Sequence, residues 1–221
     1  MSQKSFKNDL LFPGGKPLCS YSADDEGISY PSSLDMRDLV LRTENQGQTS
    51  MCAAYTATSW LESLMWRRTG IAKDYDPKQL YEYAKKIDGV PDQDGTTLNA
   101  VMEGMIDLGW CEGCAKKDII YIYNDRQLKR AIHRYGTALL GLIISSDWYD
   151  HRDLVLRSYS GSIEGGHAVI CTGYNDVGVF IQNSWGTDWG KYGFACMTWD
   201  VFNHQFMYGA YLRNCLDGVE K

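Results

Sequence analysis

The sequence predicts an α+β fold in which helices come first and strands follow. Between residues 52 and 134, apolar residues recur at the spacing of helices that bury one face. From residue 137 onward they form short apolar runs bounded by turn residues, which is the pattern of buried strands. A chain that places its helices before its strands is typical of α+β proteins.

Four helices are predicted, each with recognisable end signals. They span residues 52–68, 76–89, 97–108 and 124–134. Gly70, Gly109 and Gly136 follow three of these segments, and glycine readily adopts the left-handed conformation that ends helices. Asp76 before Pro77 is an N-cap followed by a first-turn proline, which predicts where the second helix begins.

Five strands follow in the second half of the chain. They are predicted at residues 137–144, 168–174, 177–182, 193–197 and 207–213. Asn175 and Asp176 are turn residues between the second and third strands, so these two strands should form a hairpin. Residues 1–29 are polar and lack periodicity, and we interpret them as an irregular N-terminal extension to a domain at residues 30–221.

Length and charge limit the classes of function. A chain of 221 residues can form one large domain or two small lobes that share a cleft. A net charge of -6 argues against a nucleic-acid partner, because phosphate binding needs a basic surface. No run of about 20 apolar residues is present, so no membrane partner is expected. We expect a monomer.

The N-terminus and the cysteines indicate a reducing compartment. The first residues lack the apolar core of a secretory signal, which predicts a cytoplasmic protein and leaves export by a non-classical route open. The seven cysteines fit no dense disulfide framework, so reduced thiols are expected. Cys111 and Cys114 form a lone CxxC without a second pair at metal-ligand spacing. Neither a metal nor a cofactor is therefore predicted.

Three residues far apart in the sequence indicate nucleophilic catalysis. Cys52 lies where the first helix should begin, and the positive end of a helix stabilises a thiolate. His167 follows a Gly-Gly pair on a predicted strand, and Asn183 could hold its ring in a working orientation. Alone, Cys52 and His167 would each be interpreted as structural. Together the three supply a nucleophile, a base and an orienting group, as in a cysteine protease.

The sequence motifs around these residues resemble those of the papain-like (C1) cysteine peptidases over about residues 30–213. The matching segments are LDMR at 34–37, NQG at 45–47, GHAV at 166–169 and NSWGTDWGKYGF at 183–194. The resemblance implies a two-lobe fold with the active-site cleft between a helical left lobe, about residues 45–118, and an antiparallel, barrel-like right lobe, about residues 119–213.

The resemblance also implies roles for individual residues. Cys52 would attack the substrate carbonyl, His167 would act as general acid and base, Asn183 would orient His167, and Gln46 would stabilise the oxyanion. The substrate-binding residues implied in the same way are Gly95, Thr96, Gly165, Gly166, Ala168, Trp185 and Trp189. Trp185 would shield the His167–Asn183 hydrogen bond, and Trp189 would lie on the leaving-group side of the cleft.

Several departures from the family pattern bear on specificity. Thr49 replaces a disulfide cysteine, Ser50 a glycine beside the first pocket, and Thr96 the second glycine of the pair that binds substrate backbone. This last change implies that this edge of the cleft binds the substrate backbone more weakly. The second subsite would contain Leu98, Ala138, Gly165, Ala168 and a residue near Met207, which predicts a preference for an apolar side chain.

Two questions stay open from the sequence. Residues 1–29 could lie in the cleft as a short inhibitory segment, or could be a surface tail. The same Cys-His pair could serve an acyl-transferase or a deamidase, because an acyl-enzyme can be resolved by amines as well as by water. A catalytically silent binding module of this fold is the remaining alternative.

Overall fold

The computed structural model describes residues 10–11, 29–149 and 151–213. Within them lie five helices: α1 Cys52–Thr69, α2 Pro77–Ile87, α3 Leu98–Asp107, α4 Asp125–Tyr135 and α5 Trp199–Gln205. The strands are β1 Leu34–Asp35, β2 Ile119–Ile122, β3 Ala138–Ser145, β4 Val155–Leu156, β5 Ile163–Tyr174, β6 Gly178–Gln182, β7 Phe194–Thr198 and β8 Phe206–Leu212. The fold is therefore α+β, as predicted.

The helix ends follow the predicted capping chemistry. Asp76 caps α2 by accepting the Lys78 N–H, and Thr97 caps α3 by accepting the Ala100 N–H. Gly70 takes the left-handed conformation at the end of α1 (φ +70°). The first four helices therefore lie where the sequence placed them, with ends that shift by one or two residues.

The elements depart from prediction in several places, and the short strands β1, β2 and β4 were not predicted. β5 begins at Ile163, five residues before the predicted start, so Gly165 and Gly166 belong to the strand that carries His167. Trp199 begins α5, a fifth helix that was not predicted. The Thr198 hydroxyl caps this short helix by accepting the Val201 N–H, and seven residues are too few for a periodic pattern.

The strands form one mixed sheet behind the helices. Its order is β2-β8-β3-β5-β6-β7-β4, with β1 paired to β5, and all described pairings are antiparallel except β4 with β7. α1 is buried along most of its length, packed against α2 and α3 on one side and β5 on the other. A helix buried all round is a central core element. No helix among the described residues is long and apolar enough to cross a membrane.

Candidate active site

Cys52 is the first residue of α1 and its side chain is fully buried. At this position the backbone N–H points out of the helix end instead of joining the helical ladder. The first turn carries no acidic side chain, so the positive end of the helix dipole is not neutralised there. The location suits a thiolate and a developing oxyanion beside it.

The loop before Cys52 pairs with the segment that carries Asn183. The Gln46 N–H donates to the Ser184 carbonyl at 2.8 Å, and the Gly186 N–H donates to the Glu44 carbonyl at 2.9 Å. A Cβ at Gly186 would lie 2.9 Å from the Asn45 amide nitrogen, and Gly186 has φ +80°. Only glycine therefore lets these two motifs lie side by side.

The Gln46 side chain is held in one orientation. Its Oε1 accepts the Ser184 hydroxyl at 2.7 Å, and its Nε2 donates to the Thr49 carbonyl at 3.0 Å. Fixing the oxygen on Ser184 directs the NH₂ group toward the turn that leads into Cys52.

His167 and Asn183 form a buried pair on neighbouring strands. His167 lies in β5 and Asn183 follows β6, and their Nε2 and Oδ1 atoms are 2.8 Å apart. Asn183 Oδ1 also accepts the Ser184 N–H at 2.8 Å, which identifies this atom as the oxygen. Because an oxygen here can only accept, His167 Nε2 carries the proton.

This tautomer leaves Nδ1 of His167 as the basic nitrogen. That atom is buried and makes no hydrogen bond within the described ranges. Burial lowers the pKa of His167 to about 4, and the hydrogen bond with Asn183 only partly opposes this. The buried ring is therefore neutral at pH 7.

An aromatic cluster covers the His167–Asn183 pair. The Trp185 ring lies 4.7 Å from the His167 ring, centroid to centroid, and Trp148 contacts the same histidine edge-on at 6.1 Å. Trp189 stacks on Trp148 at 5.6 Å and donates its indole N–H to the Trp148 carbonyl. These rings exclude water from the hydrogen bond, which strengthens it.

Trp148 is the member of this cluster that the sequence did not reveal. Its side chain is fully buried and lies in the 3-10 turn Ser146–Trp148. Its indole N–H donates to Gln205 Oε1 at 2.9 Å. The Trp185 and Trp189 motif gives no indication of this third ring, since Trp148 lies nearly forty residues earlier.

The sequence also matches a known protein family. Residues 76–208, more than half of the chain, match the model of the papain family cysteine proteases. The chain belongs to this family. The matched range contains His167 and Asn183, whereas Gln46 and Cys52 precede it.

Individual relatives of this papain-family chain are distant. Mouse cathepsin K is 24% identical over 88% of the chain and 64% of its own length, and chicken cathepsin K is 26% identical over 76% and 58%. The chain thus spans less than two thirds of these relatives. Among solved structures, "proCathepsin B S9 from Trypanosoma congolense" (13% identical, 94% of this chain, 86% of that chain) and Xylellain, a cysteine protease from Xylella fastidiosa (18%, 95% and 97%), both have a TM-score of 0.72. They share the two-lobe fold.

Two residues of the N-terminal extension lie across the cleft of this papain-family chain. The Leu10 N–H donates to the Gly166 carbonyl at 2.8 Å, and the Leu11 N–H donates to the Thr96 carbonyl at 2.9 Å. Leu10 pairs with Thr96 in parallel, as one strand residue beside another. The carbonyls beside His167 and on the helical lobe therefore both accept an extended peptide backbone.

The Leu10 side chain fills a pocket whose base the sequence missed. Leu10 is only 3% exposed, and a Cβ at Gly141 would lie 3.0 Å from its Cδ2 atom. The same position is 3.3 Å from Tyr208 and 3.4 Å from Leu98. Gly141 pairs with both Ala168 and Tyr208 in the sheet. A lone glycine inside a strand is the signal that could have identified it.

Of the other predicted subsite residues, Gly165 lies beside this pocket and Ala138 lies away from it. Gly165, with φ +117°, lines an open cavity of about 520 Å³ that continues from Leu10 and Leu11 between Val90 and Ile163. Ala138 was expected in the pocket, but it pairs with Cys171, three residues along β3 from Gly141. Gly95 is buried and donates its N–H to the Tyr81 hydroxyl.

A hydrogen bond joins the helix of Cys52 to the strand of His167. The Thr56 hydroxyl, one turn after Cys52, donates to the carbonyl of Ala168 at 3.0 Å. Both residues of this contact are buried. The contact fixes α1 against β5 directly beside both candidate catalytic residues.

Proposed function

We propose that the chain is a thiol peptidase that hydrolyses peptide bonds through an acyl-enzyme on Cys52. The observation that carries this proposal is the state of His167, whose Nε2 is committed to Asn183 while Nδ1 remains unbonded among the described residues. His167 lies on the strand that packs against the helix of Cys52. A base oriented by an amide beside a helix-end thiol is the arrangement for thiol catalysis.

The reaction needs only groups already described. His167 Nδ1 takes the proton of the Cys52 thiol, and the sulfur attacks the substrate carbonyl carbon. The resulting oxyanion accepts hydrogen bonds from Gln46 Nε2 and the Cys52 N–H. His167 then gives its proton to the leaving amine as the C–N bond breaks. Water, deprotonated by His167, attacks the thioester, and the carboxylic acid leaves as Cys52 regains its proton.

We also propose that the N-terminal extension, residues 1–29, keeps this site closed. Cys52 and His167 are both fully buried, so a substrate can reach the sulfur only after part of the chain moves. Leu10 and Leu11 occupy backbone acceptors on both sides of the cleft. Their contacts support the cleft-blocking hypothesis for residues 1–29, of which only Leu10, Leu11 and Ser29 are described.

The pocket around Leu10 supports a preference for apolar peptides. Gly141, Leu98 and the ring of Tyr208 meet beside the Leu10 side chain, and none of these three residues carries a charge to pair with an ionised side chain. We therefore propose that the substrate class is a peptide with an aliphatic side chain at this position. Burying such a side chain contributes about 1.5–3 kcal/mol, which is enough to select against polar residues.

Peptide hydrolysis tests the function. The Leu10→Glu chain, in which the pocket should be vacated, should cleave peptides with leucine at this position faster than matched peptides with aspartate, and a further Cys52→Ala change should abolish cleavage. Cys114→Ser replaces a thiol away from the site and should retain it. Added amines distinguish hydrolysis from acyl transfer by the product formed. Full activity in Cys52→Ala would refute the proposed mechanism.

A further inference from the structure

The loop between α2 and α3, residues 88–97, is held by one lysine. Lys85 Nζ donates to Asp88 Oδ2, to the Val90 carbonyl and to the Gln93 carbonyl, each at 2.8 Å. An ammonium group has three donors, and all three are used here. The Lys85 side chain is only 16% exposed, so its bonds to Asp88 and Val90 are partly shielded from water. One side chain thus ties the beginning of the loop to its middle.

Asp88 connects this lysine to the far end of the loop. Its side chain is fully buried and accepts the Val90 N–H at 3.0 Å and the Thr96 hydroxyl at 2.9 Å, in addition to Lys85. Burial alone would raise the pKa of Asp88, but the hydrogen bonds from Lys85, Val90 and Thr96 outweigh it and lower that pKa. The carboxylate therefore stays ionised and keeps its partners.

Thr96 is the residue where this network meets the cleft. Its side chain is directed to Asp88, while its carbonyl accepts the Leu11 N–H at 2.9 Å. Thr96 is 1% exposed, and the neighbouring Gly95 is fixed by its bond to Tyr81. The sequence implied that threonine weakens the edge. The geometry instead gives threonine a hydroxyl anchor that glycine lacks.

We propose that the Lys85–Asp88 ion pair is a positioning device that holds the Thr96 carbonyl as a fixed peptide-binding edge of the cleft. The inference rests on the peptidase function proposed above, because the same edge would receive substrate backbone once Leu10 and Leu11 leave. Lys85 and Asp88 touch no reacting atom and act only through Thr96. Their effect belongs to binding of the peptide and not to the chemical step.

Amide hydrogen exchange of Leu11 in the whole chain tests the edge without requiring catalysis. Lys85→Met should speed exchange of the Leu11 amide about tenfold, the effect of losing one net hydrogen bond. Lys116→Met is the matched control, since Lys116 pairs with Glu103 and Asp107 on the surface and should leave Leu11 exchange at the wild-type rate. Equal exchange in the two variants would overturn the proposal.

A second variant covers the case in which Lys85→Met does not fold, because breaking a buried ion pair is strongly destabilising. Thr96→Val keeps the Lys85–Asp88 pair and removes only its link to the edge. It should also speed Leu11 exchange, whereas amides in the middle of β5 should keep their protection. A Leu11 rate unchanged in a folded Thr96→Val chain would contradict the anchor.

Kinetics separate this inference from the peptidase proposal. In a Leu10→Glu background, which should expel the extension from its pocket, Lys85→Met should raise KM about tenfold and leave kcat within about twofold. A fall in kcat at constant KM would overturn the positioning role. If the Leu10→Glu chain cleaves no peptide at all, the proposed function fails, and the exchange experiment still decides the edge.

Discussion

Glu62 shows how a single buried residue ties the helix of Cys52 to the loop that leads to Gln46. Its side chain is 1% exposed in the middle of α1, and its Oε1 accepts the Tyr75 N–H at 2.9 Å. Oε2 lies 3.0 Å from the Arg42 guanidinium, which also contacts Glu44 and Asp74. Burial raises the pKa of Glu62 to about 7, although Tyr75 and Arg42 favour the ionised form.

This shift predicts how stability depends on pH. Since the folded state binds the proton of Glu62 more tightly than the unfolded state, its stabilising contribution is complete below pH 4.5 and is lost as pH rises through about 7. The loss should total roughly 3 kcal/mol. In Glu62→Gln the amide keeps the bond to Tyr75 and cannot ionise, so this loss should disappear. Urea unfolding between pH 4.5 and 8 measures it.

Glu82→Gln is the control for that experiment, because Glu82 is exposed on α2. The free energy of unfolding of this variant should follow the wild-type pH dependence. The comparison of variant with wild type cancels the opposite trend from His167, whose lowered pKa makes stability fall as pH drops below about 6.5. A wild-type pH dependence in Glu62→Gln would contradict the assignment to Glu62.

At the scale of elements, the N-terminal strand-like pair is the part most open to perturbation. Leu10→Glu would place a carboxylate in the apolar pocket formed by Gly141, Leu98 and Tyr208, which costs several kcal/mol unless the segment leaves. We expect peptide hydrolysis to rise at least tenfold. Solvent access should also raise the pKa of His167 from about 4 toward its ordinary value, measured by NMR of its ring.

Leu154→Glu provides the matched control, since Leu154 is exposed on the opposite side of β7 from β6. It adds the same charge and should leave hydrolysis unchanged. If Leu10→Glu behaves like Leu154→Glu, residues 10 and 11 do not restrain the enzyme, and the cleft-blocking hypothesis fails.

The parts of the fold that could be predicted are those encoded by local sequence signals. Four helices were predictable because caps such as Asp76 and Thr97 and the terminal Gly70 act within one turn of their helix. The early part of β5 was missed because Glu164, Gly165 and Gly166 favour turns, while pairing with β3 makes them a strand. That pairing joins residues more than twenty positions apart, which no local pattern encodes.

At the scale of the whole molecule, the candidate site lies where the central helix meets the sheet. Thr56 bonds to Ala168 across this boundary, and the Leu98 N–H donates to the Tyr208 hydroxyl at 3.1 Å across the floor of the cleft. These contacts join helices to strands at two points around the site. They hold Cys52 and His167 on facing elements, as a reaction between their side chains requires.

The site was predictable in its motifs and not in its walls. Short sequence motifs that can be recognised without a structure contain Cys52, His167, Asn183 and Gln46. No such motif contains Trp148 or Gly141. Trp148 is buried through a 3-10 turn, and Gly141 matters because it lacks a Cβ where it pairs with Ala168 and Tyr208. Packing and register between distant segments create these features.

The most direct test of the whole account is mass spectrometry after exposure of the chain to an epoxide inhibitor of thiol proteases. An activated pair predicts a single label on Cys52, absent in His167→Ala, and faster labelling when residues 1–29 are removed. Reaction of Cys52 no faster than that of the other six cysteines, with and without the extension, would contradict the catalytic assignment.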